Sequence, residues 1–112
     1  MIINFNCKET DKIFKLKKSH KFPREIQDRA LMKLWMIDAS TSINDLRIPP
    51  ANHLEKLKGI RKNQYSIRIN DKWRICFIWI DNNAHNVEIT DYHLHEKTFS
   101  TTSRKNIKRR IP

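Results

Sequence analysis

Arg68 and Arg74 are the first residues whose type and spacing suggest chemistry. They flank Asn70-Asp71-Lys72, which lies between two stretches rich in β-branched and aromatic residues, Tyr65–Asn70 (YSIRIN) and Trp73–Ile80 (WRICFIWI). A three-residue loop at Asn70, Asp71 and Lys72 would set Ile69 opposite Trp73, Arg68 opposite Arg74 and Ile67 opposite Ile75. Tyr65, Ile67, Ile69, Trp73, Ile75, Phe77 and Trp79 would then form one apolar face. Arg68 and Arg74 would share the other with Ser66 and Cys76. A two-residue loop would put Arg68 against Ile75 and mix the faces, so the longer loop is expected. Two planar guanidiniums on one face can fork onto the oxygens of a phosphate. The plainer reading makes them solvated strand cations that pair with Glu88.

Histidine can carry a proton either way near neutrality, because its ordinary pKa is about 6.5. His93, near the end of the last apolar stretch, is such a group, although a lone histidine is more often an ordinary surface residue. His53, His93 and His95 show no ligand-like spacing with one another or with the cysteines, so neither a metal nor another cofactor is expected. Cys7 and Cys76, the only two cysteines, lie far apart and are expected as free, half-buried thiols.

The chain has 23 Lys and Arg against 12 Asp and Glu, a formal charge of +11 over 112 residues. A field of that sign gathers polyanions, and neutralised phosphates release their counterions. Nucleic acid or the ribosome is the first expected partner and an acidic protein the second. The length fits one domain. No run of about eighteen apolar residues is present, and the opening MIINFNCKETDK lacks the basic and long apolar regions of a secretory signal, so a cytoplasmic protein is expected.

The elements that must position these groups follow from periodicity. Ile2–Asn6 alternates and reads as a strand, and Lys8 to about Lys18 as a short helix. Pro23 suits the first turn of a second helix over REIQDRALMKLWMIDAS. Ile26, Ala30, Leu34 and Ile37 form that helix's buried stripe, widened by Leu31 and Trp35. Residues 40–60 read as irregular, anchored by Leu46, Ile48, Leu54 and Leu57 and ended by Gly59. A turn at Asp81-Asn82-Asn83 leads into a last strand, roughly Ala84 to Tyr92. The predicted architecture is α+β, an antiparallel sheet of about four strands with two N-terminal helices on one face. A folded domain over 1–96 is expected, with 97–112 a basic, largely disordered tail.

The order KLKG, Arg61, YSIRIN, WRICF and DYH, within HLEKLKGIRKNQYSIRINDKWRICFIWI and the closing VEITDYH, resembles the second half of HigB toxins. These are the plasmid-maintenance killer proteins of the RelE/ParE superfamily, and the resemblance covers about residues 1–95. It implies a microbial RNase-like (RelE/ParE) fold, a ribosome-dependent endoribonuclease that cuts mRNA without a metal, and neutralisation by a HigA-type helix-turn-helix antitoxin. It aligns the family's catalytic terminus with Asp91, Tyr92 and His93, and the cations of its concave face with Lys58, Arg61, Arg68 and Arg74. Arg74 joins the catalytic group, and Lys58, Arg61 and Arg68 the phosphate-binding group. Where some members carry a second active-site histidine this chain has Glu55, with His53 two residues earlier.

Under that resemblance His93 moves the proton, Asp91 orients it or acts as base, and Tyr92 stacks on a base or donates to phosphate. Two other readings use the same surface: a non-enzymatic toxin such as a gyrase poison of the ParE type, and an RNA- or ribosome-binding module without activity.

Overall fold

The computed structural model of the chain describes residues 1–57 and 63–91. Lys58, Gly59, Arg61, Tyr92, His93, His95 and the tail 97–112 lie outside the described residues. Within them the order is α1 (Lys8–Phe14), α2 (Arg24–Ala39), two short 3-10 turns (Ile43–Arg47 and Pro50–Asn52), then β1 (Glu55–Lys56), β2 (Gln64–Arg68), β3 (Trp73–Ile80) and β4 (Asn83–Asp91). The strands form one antiparallel sheet in the order β1-β2-β3-β4. This is the expected α+β arrangement of two helices and four strands, although one of the four strands is not the one expected. No helix among the described residues is long and apolar enough to cross a membrane.

The sheet buries one face against the helices. Ile26, Ala30, Leu34 and Ile37 of α2 meet Ile67, Ile75, Phe77, Val87 and Ile89 in a single core. A fully buried Leu or Phe such as Leu34 or Phe77 contributes about 1.5–3 kcal/mol. The α2 stripe differs from expectation at its edge: Trp35 is 50 % exposed, whereas Lys33 is buried. Lys33 lies one position from Leu34 on the other shoulder, and its methylene stem packs while its ammonium reaches Asn52 of the second 3-10 turn. Ile48, expected as an anchor, is 75 % exposed, while Leu46 and Leu57 are buried.

α1 stops at Phe14, four residues short of the expected Lys18. Leu16 takes the left-handed conformation at φ 67°. The N–H of Lys17 then donates to the Lys12 carbonyl at 2.8 Å and that of Leu16 to the Ile13 carbonyl at 3.0 Å. This pair of bonds satisfies the last free carbonyls and turns the chain away.

Two findings revise the expected sheet. The fourth strand is Glu55–Lys56, inside the segment expected to be irregular; it pairs with Ser66 and Tyr65. Ile2–Asn6 forms two isolated parallel bridges, Ile2 to Ala84 and Phe5 to Val87, instead of a full strand. The cause lies in β4, where the pairing with β3 shifts by one residue between Cys76/Glu88 and Ile78/His85. Asn86 is the extra residue, at φ 53°. Asn4 brackets it, accepting from the Asn86 N–H at 2.9 Å and donating to its side-chain oxygen at 2.8 Å. A bulge of this kind interrupts a ladder on either side of it.

Candidate active site

The β2–β3 hairpin has the expected register: Ile67 faces Ile75 and Arg68 faces Arg74. The loop is fixed by Asn70, whose side-chain oxygen accepts from the N–H groups of Lys72 (2.9 Å) and Trp73 (2.8 Å). An Asx turn of this kind closes three residues without a glycine. Cross-strand partners share a face, so Ser66, Arg68, Arg74 and Cys76 lie on the side of the sheet away from the helices.

Like charges directly opposite one another repel, and each guanidinium here has its own compensation. Arg74 is 4 % exposed. Its Nε donates to the Ser66 hydroxyl at 2.9 Å, and a terminal nitrogen donates to the carbonyls of His53 (2.5 Å) and Ser66 (3.3 Å). A carboxylate oxygen of Glu55 stands 3.7 Å from the same nitrogen. A charge this buried is tolerated only when hydrogen-bonded, and these bonds also fix its orientation. Arg68, by contrast, pairs with Asp71, whose side chain is 96 % exposed. Water screens that pair, so it contributes little to holding Arg68 in place.

His53, at φ 44° after the second 3-10 turn, presents its carbonyl to Arg74 while its side chain stays at the surface. β1 begins two residues later with Glu55, paired to Ser66. The two acid–base candidates of this stretch therefore line one hollow of about 260 Å³ together with Arg68, Arg74, Asn70 and Asp71. Such a hollow can hold an anion against two guanidiniums with an imidazole and a carboxylate beside it.

Of the residues singled out in the sequence, the described part brings Arg68 and Arg74 together and adds His53 and Glu55. Asp91 is placed elsewhere. It stands opposite Trp73, whose ring packs edge-on against Phe22 at 5.6 Å, and therefore faces the helices. Its carboxylate lies 3.7 Å from the Lys72 ammonium. Thr90, opposite Arg74, holds the strand position on the arginine side. Lys58, Arg61, Tyr92 and His93 fall outside the described residues. Ser66, which orients Arg74, was noticed only as a neighbour in register; a buried serine opposite a buried arginine carries no motif. Neither cysteine is in a disulfide; Cys76 is buried and Cys7 partly so. Among the described residues no group of three or more His, Cys, Asp or Glu side chains is placed to hold a metal ion.

The chain is similar to proteins already known. Over 87 residues the chain is 37 % identical to Toxin HigB-1 of Vibrio cholerae, covering 77 % of this chain and 92 % of the relative. Over 93 residues it is 32 % identical to Endoribonuclease HigB of Proteus vulgaris, covering 83 % of this chain and all of the relative. Residues 3–93 match the family described as the RelE-like toxin of type II toxin-antitoxin system HigB. With that match spanning most of its length, the chain belongs to the HigB family of RelE-like toxins.

Proposed function

We propose that this toxin is a cytoplasmic, ribosome-dependent endoribonuclease that cuts mRNA at the hollow between His53, Glu55, Arg68 and Arg74. A toxin of a type II system has an antitoxin partner, and here we propose one of the HigA helix-turn-helix type. The observation that carries the reading is the buried Arg74, held by Ser66 and the His53 carbonyl at the floor of a hollow that Arg68 also lines. The name of the Proteus vulgaris relative supports it.

In the proposed reaction a base removes the proton of a ribose 2′-hydroxyl, and the 2′-oxygen bonds to the adjacent phosphorus. The bond to the 5′-oxygen breaks, and that oxygen leaves with a proton from an acid. The products are a 2′,3′-cyclic phosphate and a 5′-hydroxyl, so no water or metal enters the balance. Arg74 and Arg68 stabilise the crowded phosphorane, a role for which one well-placed donor is worth roughly 10²–10³-fold. His93 moves a proton, and Tyr92 stacks on a base or donates to phosphate. His53 or Glu55 supplies the second proton-transfer group in place of the family histidine. Asp91, on the helix side of its strand, fits the orienting role better than that of base. Lys58 and Arg61 add charge for the RNA backbone.

Mapping transcript ends after brief induction tests this. Wild type should create new ends bearing cyclic phosphate and 5′-hydroxyl, and His93→Ala should abolish them. Growth arrest with intact transcripts would replace this reading with a non-enzymatic one.

A further inference from the structure

A second, larger hollow adjoins the first. It measures about 700 Å³, within the ~300–1,000 Å³ range of ligand sites. α2 forms one wall with Arg29, Met32, Lys33 and Met36, and Pro49 and Arg68 stand across from them. Arg68, Asn70 and Asp71 line both hollows, so the two adjoin at the tip of the β2–β3 hairpin.

The charges in this groove are not balanced locally. Lys33 is 8 % exposed and donates to the Asn52 side-chain oxygen, a neutral acceptor. Arg29, one turn earlier on the same face, donates to the Ile69 carbonyl at 3.4 Å. Among the described residues neither forms an ion pair with a carboxylate. Asp71, the acid on the groove wall, is engaged by Arg68. Two cations four residues apart, one of them buried, are costly to keep unless an anion visits them. Burial holds the Lys33 ammonium below the ordinary lysine range, and the charge of Arg29 adds to it. Between the cations Met32 and Met36 supply a soft, polarisable wall of the kind that accepts flat rings.

We propose that this groove is a nucleotide subsite of the RNA strand, in which Arg29 and Lys33 take the phosphate next to the scissile one and the Met32–Met36–Pro49 wall takes its base. The inference deepens the nucleolytic reading and rests on it for the identity of the polymer. RNA is favoured over an acidic polypeptide because the groove shares Arg68 and the hairpin tip with the arginine hollow. It also alternates cations with apolar surface, as single-stranded nucleic acid requires and a carboxylate side chain does not.

The test is binding of a fluorescent oligoribonucleotide, 2′-O-methylated throughout so that it cannot be cut. Anisotropy is followed from 50 to 200 mM KCl on the full chain and on Arg29→Gln, Lys33→Met and Arg24→Gln, each checked by circular dichroism. Arg29 is exposed, so its variant keeps the fold even if the buried Lys33 does not tolerate replacement. Arg29→Gln should weaken binding about tenfold, the value of one charged hydrogen bond. It should also flatten the slope of log K against log salt by about 0.7, the share of one phosphate on a single strand. Lys33→Met should move both in the same direction, and Arg24→Gln, on the same helix outside the groove, should move neither. Equal losses in all three variants would mean diffuse attraction only and overturn the subsite. An unchanged slope in Arg29→Gln and Lys33→Met, with loss of a polyglutamate peptide instead, would overturn it in favour of an acidic protein. Because the probe is uncleavable, a wild type that binds it through the groove yet cuts no transcript would refute the nuclease and leave the subsite standing.

Discussion

The sheet hollow and the helix groove meet at the same three hairpin residues, yet they treat positive charge in opposite ways. In the hollow Arg68 has Asp71 and Arg74 has Glu55, so the cations arrive with counter-charges already in place. In the groove, among the described residues, Arg29 and Lys33 have only carbonyl and amide oxygens. The hydrogen bonds of the buried Arg74 hold it at a set orientation, and in both pairs the counter-charge leaves little net attraction at a distance. An unmatched pair attracts from afar but is costly to the fold. The difference assigns positioning to the sheet and recruitment to the helix, and it can be broken at either end.

The largest effect is expected at the floor of the hollow. Arg74→Met should lower the rate at which new transcript ends appear by about 10²–10³-fold. It should also lower the melting temperature, because carbonyls buried beside the guanidinium lose their donor at about 1–3 kcal/mol each. A variant that cuts at full rate would end the positioning role. Ser66→Ala comes next: it removes the acceptor of the Arg74 Nε, and calorimetry should show a loss of about 1–3 kcal/mol. Arg68→Gln should cost about tenfold in cleavage, the worth of one charged hydrogen bond, while stability stays within about 0.5 kcal/mol. A large drop in melting temperature there would contradict the contrast between floor and rim.

The smallest effect is a slope with pH. Lys33 faces Arg29 on its own helix, Asn52 from the 3-10 turn, and Arg68 and Asp71 across the groove. Its proton is held less tightly in the folded chain than in the unfolded one. Between the two affinities the unfolded chain binds more protons, so stability rises with pH up to the ordinary lysine value of about 10.4. Wild type should therefore gain melting temperature relative to Lys33→Met as pH goes from 7 to 10. Parallel curves would show that the groove carries no unbalanced charge.

What was legible in the sequence depended on whether the deciding contacts were local. The Arg68–Arg74 register was readable because the Asn70 turn and two alternating strands lie within sixteen residues, and a wrong loop length would have mixed the faces. The α2 stripe was readable for the same reason. β1 was not: two residues carry no period, and Glu55–Lys56 is a strand only because Ser66 and Tyr65 lie beside it. The burial of Lys33 was not legible, because its partner Asn52 comes from a distant turn. His53 and Glu55 were noticed as departures from a motif, but only the fold brings both to the wall of the arginine hollow. The side of β4 on which Asp91 stands depended on one inserted residue that no pattern announced.

That residue, Asn86, works as a half-step in an alternating count. Upstream of it, the turn through Asp81 and Asn82 sets which β4 side chains point inward; downstream the assignment is reversed, which sends Val87 and Ile89 into the core and Thr90 outward opposite Arg74. Deleting the asparagine itself would leave these faces as they are, because Val87 would follow His85 as the inward residue opposite Phe77 in an unbroken ladder. Flattening the bulge with the asparagine kept, by contrast, would turn Ile89 out to solvent and swing the Asp91 carboxylate to the arginine side. A substitution that the left-handed conformation of Asn86 does not tolerate therefore reaches beyond its own position, because the polarity of everything that follows in the strand depends on it.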